Sequence, residues 1–164
     1  MVKSPRITQE IIIYIMTMTN KEILKRKIAL NKARSFLNFI KGVCDLELVE
    51  YGGEDIDEYY KKIKEIYSYQ REVAPKREVS LEEVNHEVTR WQAECIDFIL
   101  GKEVFIEVNE FYFATFKILN GLDFLESISL VKGNNDLVLF VKFPKSVLAF
   151  SDDEYTISFY EEMI

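Results

Sequence analysis

The chain contains few of the residues that mark metal, redox or nucleophilic chemistry. Its 164 residues include one histidine, His86, and two cysteines, Cys44 and Cys95. The spacing of these residues matches no zinc or dithiol motif. We therefore expect no metal and no cofactor. Because lone cysteines of a domain this size are usually small buried hydrophobes, we also expect a reducing, cytoplasmic location.

The recurrent catalytic and nucleotide-binding motifs are missing as well. The sequence has no phosphate-binding glycine loop, no dinucleotide-binding turn and no nucleophile elbow. Carboxylate catalysis leaves no regular signature, so this absence favours a non-catalytic protein but leaves the question of an enzyme open. The apolar run 11–16 is far shorter than the ~20 residues that cross a bilayer, which predicts no membrane partner. The segment 7–19 fits a strand or a helix.

His86 is also the last residue of the spacing Glu-x-x-His, which begins at Glu83. Di-iron carboxylate bundles use that spacing twice, and one histidine supplies only one copy. We expect Glu83 to form a capping box with Ser80 instead, and His86 to face water.

The net charge of −7 is divided unevenly along the chain. Residues 1–41 carry nine Lys and Arg against two acids, whereas residues 42–164 carry twelve against twenty-six. An acidic excess disfavours nucleic acid and favours a cationic protein partner, although it also serves solubility. The basic surface of the predicted helix 20–41 is the one feature that suits phosphate. We interpret that surface as a solvated face or as the counterpart of the acidic remainder.

Apolar periodicity predicts three helices in the first hundred residues. The spans are 20–41, about 55–71 and 80–100. The helix 80–100 has a seam at spacings of three and four residues, and the helix 20–41 has a broad buried stripe. The seam consists of Leu81, Val84, Val88, Trp91, Cys95 and Phe98, and the stripe of Ile23, Leu24, Ile28, Ala29, Ala33, Phe36, Leu37 and Ile40.

The pattern becomes typical of strands after Gly101. We predict strands at 43–49, 103–108, 127–131, 137–143 and 155–160, with 132–136 as a hairpin loop. The aromatic stretch 111–119 fits a strand or a helix. Helices followed by strands predict an α+β fold, in which the N-terminal helices pack on one face of a mostly antiparallel C-terminal sheet. No linker divides the chain, so we expect a single domain, 1–164.

Acidic residues are concentrated in the segment 45–58, which contains seven acids and no basic residue. Such a run fits a helix cap with its loop, a hard-cation site or a docking surface for a cationic partner. It lacks the glycine and the later glutamate of an EF-hand loop. We predict the docking surface, with nearby tyrosines supplying contact area. Its residues are Asp45, Glu47, Glu50, Tyr51, Glu54, Asp55, Asp57, Glu58, Tyr59 and Tyr60.

Three functional hypotheses remain at this stage. The first is a small acidic interaction module, such as an inhibitor or a toxin-neutralising immunity protein, that covers a basic partner. The second is a carboxylate-based enzyme or small-ligand binder with its pocket between helices and sheet. The third is a regulatory nucleic-acid binder that uses the 20–41 helix. The sequence predicts no oligomeric state.

Overall fold

The computed structural model describes residues 9–50, 56–68, 70, 73–84 and 87–164. The helices are α1 (Gln9–Phe39), α2 (Ile56–Ile66), α3 (Leu81–Val84), α4 (Val88–Cys95) and α5 (Gly121–Lys132), and a 3-10 helix follows α4 at Asp97–Ile99. The strands are β1 (Val43–Glu50), β2 (Arg77–Ser80), β3 (Glu103–Asn109), β4 (Tyr112–Ile118), β5 (Leu137–Val141), β6 (Ser146–Asp152) and β7 (Thr156–Met163).

The seven strands form one sheet in the order β1-β4-β3-β5-β6-β7-β2, and every neighbouring pair is antiparallel. Hairpins connect β3 to β4, β5 to β6 and β6 to β7, whereas β1 and β2 reach the two edges from the N-terminal half of the chain. The predicted α+β class with a C-terminal antiparallel sheet is confirmed.

Successive apolar side chains along the strands point to opposite faces of the sheet, so both faces are buried. One face, here called face A, carries Val104, Phe116, Leu139 and Leu148 of the larger core. The opposite face, face B, carries Phe105, Phe113, Phe140, Val147 and Ala149 of a second, aromatic core.

The helices are divided between these two faces. The end of α1, α4 and α5 pack on face A, where α5 buries Phe124, Leu125 and Ile128. The helix α2 packs on face B, because its apolar residues recur at spacings of three and four and form one stripe. The stripe consists of Ile56, Tyr59, Ile63 and Ile66.

The helix α1 begins well before residue 20 and is buried over a shorter stretch than its sequence predicts. The segment 9–19 is helical, and each of residues 19–28 is exposed. Ala29 and Ala33 are the first described side chains of α1 to enter a core, where they meet Tyr112 of β4. The predicted burial of Ile23, Leu24 and Ile28 is therefore wrong, because these side chains lie at the surface and Ala29 is the first described side chain of α1 to pack in a core.

The predicted helix 80–100 is also wrong in its extent. Ser80 ends β2 and caps α3, since its Oγ accepts the backbone N–H of Glu83 at 3.2 Å. The 3-10 turn after α4 rotates Phe98 away from the seam, and its side chain is 45% exposed between the ammonium groups of Lys76 and Lys102. Trp91 is half-buried and contacts Phe150 edge-on. His86 lies outside the described residues.

The segment 127–131 is the last part of α5 and not a strand. Asn120 caps this helix by accepting the backbone N–H of Asp123, and Gly133 ends it in the left-handed conformation at φ 72°. The residues 132–136 thus join a helix to a strand. The ambiguous stretch 111–119 is a strand, β4, because its aromatic residues alternate between the two cores.

Candidate functional site

The predicted docking residues of β1 are divided by a β-bulge. The register of β1 against β4 shifts between Cys44 and Glu47, and Asp45 takes a left-handed conformation at φ 54°. Asp45 and Glu47 line one recess on face B, together with Thr115. Glu50 borders a different recess, beside Arg26 of α1 and Tyr112. The predicted surface is therefore not continuous along β1.

The acids of α2 have different environments although they are neighbours in sequence. Asp57 and Glu58 are exposed in the first turn of the helix, where carboxylates favour the helix dipole. Tyr59, in contrast, is only 3% exposed. Its prediction as a docking residue is wrong, because the ring fills the aromatic core of face B. Tyr51, Glu54 and Asp55 lie outside the described residues.

Two of the predicted docking acids, and Glu103 near them, form ion pairs with lysines around one border of face B. Glu58 pairs with Lys145 at 3.6 Å and Asp45 with Lys117 at 3.3 Å, and Glu103 pairs with Lys142. We call this border the charged rim, defined by these six residues together with Glu47 and Asp57. Glu103 and Lys117 are also cross-strand partners, so β3 and β4 connect two of the pairs.

The charged rim keeps a net negative charge. Among the residues that the structure describes, Glu47 and Asp57 are exposed and have no ion-pair partner. The other carboxylates of the rim are each held by one lysine. Exposed ion pairs contribute only about 0–1 kcal/mol each, so an incoming cation can exchange with these lysines at small cost.

A second opening lies in the sheet itself, between β3 and β5. Its volume is about 360 Å³, near the lower limit of small-ligand sites. It extends from α1 and α5 on face A to α2 on face B. Apolar side chains form most of its wall, namely Phe36, Ile63, Ile106, Val108, Ile128, Leu137, Val138 and Phe140.

Three polar side chains border this opening, which we call the β3–β5 cleft. On face B the hydroxyl of Tyr60 donates to the exposed carboxylate of Glu107. At the face A end, the ammonium group of Lys132 donates to the backbone carbonyl of Asp136 at 2.7 Å. Partial burial lowers the pKa of Lys132, while the Asp136 carboxylate acts in the opposite direction. Among the predicted docking residues that the structure describes, Tyr60 is thus the one that reaches the cleft.

No signal in the sequence marks the cleft, because it depends on how two distant strands diverge. Sequence reasoning therefore missed Glu107, Lys132 and Val138. Within the described ranges, no group of three or more His, Cys, Asp and Glu side chains is arranged to hold a metal ion. Among these same residues, no helix is both long enough and apolar enough to cross a membrane.

Comparison with known proteins provides no family assignment. No protein-family model matches the chain, and neither the curated proteins nor the solved structures contain a match.

Proposed function

We propose that the protein is a non-catalytic interaction module that docks a basic protein on the charged rim of face B. The observation that carries this proposal is the pair of exposed carboxylates, Glu47 and Asp57, that have no ion-pair partner among the described residues. A basic partner would neutralise these two groups and form charge-assisted hydrogen bonds with them.

The surroundings of these carboxylates favour docking over a local structural role. Asp57 and Glu58 both lie in the first turn of α2, so the favourable interaction with the helix dipole does not depend on Asp57 alone. Glu47 lies in a strand, where it has no dipole to complement. The acidic excess of residues 42–164 adds a long-range field that would steer a cationic partner.

The basic helix supports the nucleic-acid hypothesis less well. Two of its cations, Lys25 and Arg26, form ion pairs with Glu110 and Glu22 and lie over the ring of Phe111. These contacts occupy two of the basic side chains within the protein itself. A phosphate backbone would have to compete with them.

A charge-reversal experiment tests the docking proposal. The double variant Glu47→Lys and Asp57→Lys changes the charge by the same amount as the control Glu82→Lys and Glu126→Lys, whose residues are exposed on α3 and α5. Partners are captured from the native host at low salt, and association rates are measured for each purified partner with both variants and the unchanged protein.

We expect the rim variant to associate at least about tenfold more slowly than the control, because close charge pairs act mainly on the association rate. The difference should shrink when the salt concentration rises, because the Debye length falls to about 8 Å at physiological ionic strength. Equal rates for the rim variant and the control, with every captured partner, would refute the proposal.

A further inference from the structure

The β3–β5 cleft exists because two neighbouring strands pair over only part of their length. The pairing extends over Val104 with Val141 and Phe105 with Phe140, and Lys142 donates its backbone N–H to the carbonyl of Glu103 at 3.0 Å. Beyond Phe105, the strand β3 continues for four residues to Asn109. Beyond Phe140, toward its beginning, β5 continues for three residues to Leu137.

The hydrogen-bonding direction of the remaining residues follows from the paired part of the ladder. In an antiparallel strand, alternate residues direct both backbone groups to the same side. The carbonyl of Glu103 faces β5, so the backbone N–H and C=O of Glu107 face β5 as well. Val138 would be the partner of Glu107 in a continued ladder, and it lies beyond the last recorded pair. Two donors and two acceptors thus border the cleft.

A β-bulge in β3 accompanies the divergence of the two strands. The register of β3 against β4 shifts between Glu107 and Asn109, so Val108 is an extra residue on β3. Bulges bend a strand and increase its twist. The side chain of Asn109 fixes the bend, because it accepts the backbone N–H groups of Phe111 and Tyr112 and donates to the carbonyl of Ala29 in α1.

The two walls of the cleft suit side chains that point in alternate directions. On face A the wall is apolar along the strands, where Phe36 and Ile128 lie, and Lys132 stands at its end. On face B, Ile63 and Phe140 form an apolar floor that leads to the exposed carboxylate of Glu107. An extended peptide places successive side chains on opposite faces of a sheet, so it can use both walls at once.

The charge at the face B wall selects the residue that would lie there. The Glu107 carboxylate accepts a hydrogen bond from Tyr60 and has no ion-pair partner among the residues that are described. A lysine or arginine packs its aliphatic stem on apolar surface and directs its cation to such a carboxylate. The face A wall, in contrast, takes apolar side chains on either side of that cation.

We propose that the β3–β5 cleft binds a short extended segment of a partner protein, with an apolar–basic–apolar sequence, as an added strand between β3 and β5. The backbone of the segment would bond to Glu107 and Val138, in the manner of β-strand addition. The site is distinct from Glu47 and Asp57, so this inference and the proposed docking on the charged rim can fail separately.

Three labelled pentapeptides serve as probes of the cleft. The first is Thr-Val-Lys-Val-Thr with both ends blocked. The second replaces its lysine by proline, which removes a backbone N–H, and the third replaces its lysine by glutamate. Fluorescence anisotropy measures each dissociation constant, and amide NMR shifts locate the peptide on the protein.

Two protein variants distinguish peptide binding in the cleft from nonspecific adsorption of the peptide to apolar surface. Val138→Phe fills the cleft from a half-buried position, whereas Val131→Phe adds the same ring to the exposed side of α5. The thermal midpoint of each variant checks its folding. A second closing variant, Val108→Phe, is used if Val138→Phe does not fold.

We expect the lysine peptide to bind and the proline and glutamate peptides to bind at least about tenfold more weakly, which corresponds to about 1.4 kcal/mol. Val138→Phe should lose at least that factor and Val131→Phe should not. The amide signals of Glu107 and Val138 should shift most, and the variant Glu47→Lys with Asp57→Lys should keep most of the affinity. Absence of binding at millimolar peptide, or equal binding to both phenylalanine variants, would overturn the inference.

Discussion

Replacing Tyr59 tests whether α2 is held to the sheet by this ring. The side chain is 3% exposed and contacts the rings of Phe105 and Phe140 edge-on, at centroid distances of 5.2 and 5.3 Å. Its hydroxyl donates to the backbone carbonyl of Val141 at 2.9 Å. Each of these contacts joins α2 to β3 or β5.

The expected loss of stability divides into a ring contribution and a hydroxyl contribution. Truncating a buried aromatic ring to alanine costs about 3–5 kcal/mol of unfolding free energy, through lost transfer energy and the cavity that remains. Removing the hydroxyl alone leaves the Val141 carbonyl without this donor, which costs about 1 kcal/mol. We therefore expect Tyr59→Ala to destabilise the protein by about 3–5 kcal/mol and Tyr59→Phe by about 1 kcal/mol.

Urea unfolding measures both losses, with Tyr155 as the matched control. Tyr155 is 71% exposed, so Tyr155→Ala should change the free energy of unfolding by less than about 0.5 kcal/mol. The reasoning is refuted if Tyr59→Ala costs no more than Tyr155→Ala. It is equally refuted if Tyr59→Phe costs as much as Tyr59→Ala, because the ring would then contribute nothing.

Two further predictions concern a turn and a thiol. Gly42 has φ +69°, and a Cβ added there would lie 2.5 Å from the carbonyl oxygen of Asn120; Gly133 has φ +72° and open space around it. Gly42→Ala should therefore lower the urea midpoint clearly more than Gly133→Ala, which carries only the left-handed penalty of about 1–2 kcal/mol; equal losses would contradict the predicted clash. Burial raises the pKa of Cys95 from 9.0 to about 11, so the thiol stays protonated in the folded state. Its contribution to stability is present below pH 9.0 and is lost as the pH rises through about 11. Ellman's reagent at pH 8 should consequently modify Cys44 and leave Cys95 unmodified until denaturant is added, and immediate reaction of both thiols would contradict this prediction.

The parts of the fold that could be predicted from the sequence are those governed by local periodicity. The stripe of α2 is visible as Ile56, Tyr59, Ile63 and Ile66, and the alternation of β3 is equally clear. The same stripe indicates that Tyr59 is buried, because this residue lies at helical spacing with three isoleucines. The prediction of a docking role for Tyr59 followed its acidic neighbours in sequence instead of its phase on the helix.

Elements that depend on distant partners could not be predicted from the sequence pattern. The sequence Lys76-Arg77-Glu78 after Pro75 is typical of a charged connector, yet Arg77–Ser80 form β2 because β7, almost eighty positions later, offers an open edge. That pairing also prevents a continuous helix through Ser80. The segment 127–131 contains Ile128 and Val131, which favour strands, but the cap at Asn120 and the buried residues of α5 outweigh this propensity.

The candidate site likewise combines residues that the local sequence reveals with contacts that depend on distant residues. The acids of the charged rim are evident in the sequence, whereas their lysine partners come from β4 and from the segment that joins β5 to β6. The pairing of Glu103 with Lys142 depends on sheet register, which no local window contains. As a result, the sequence overstated the free negative charge of this surface.

The cleft shows how packing on both faces can leave a sheet open. The pairing of β3 with β5 ends at Phe105 and Phe140, whose rings stack with their centroids 4.8 Å apart. Beyond them, α2 covers one side and α5 the other, so the strands need not pair to remain buried. Since β3 and β5 diverge in their backbones, beside the bulge at Val108, single wall substitutions that do not fill the cleft should weaken binding without closing the ladder. Deleting Val108 would remove the bulge and should weaken the hydrogen bond from the Asn109 side chain to the Ala29 carbonyl of α1.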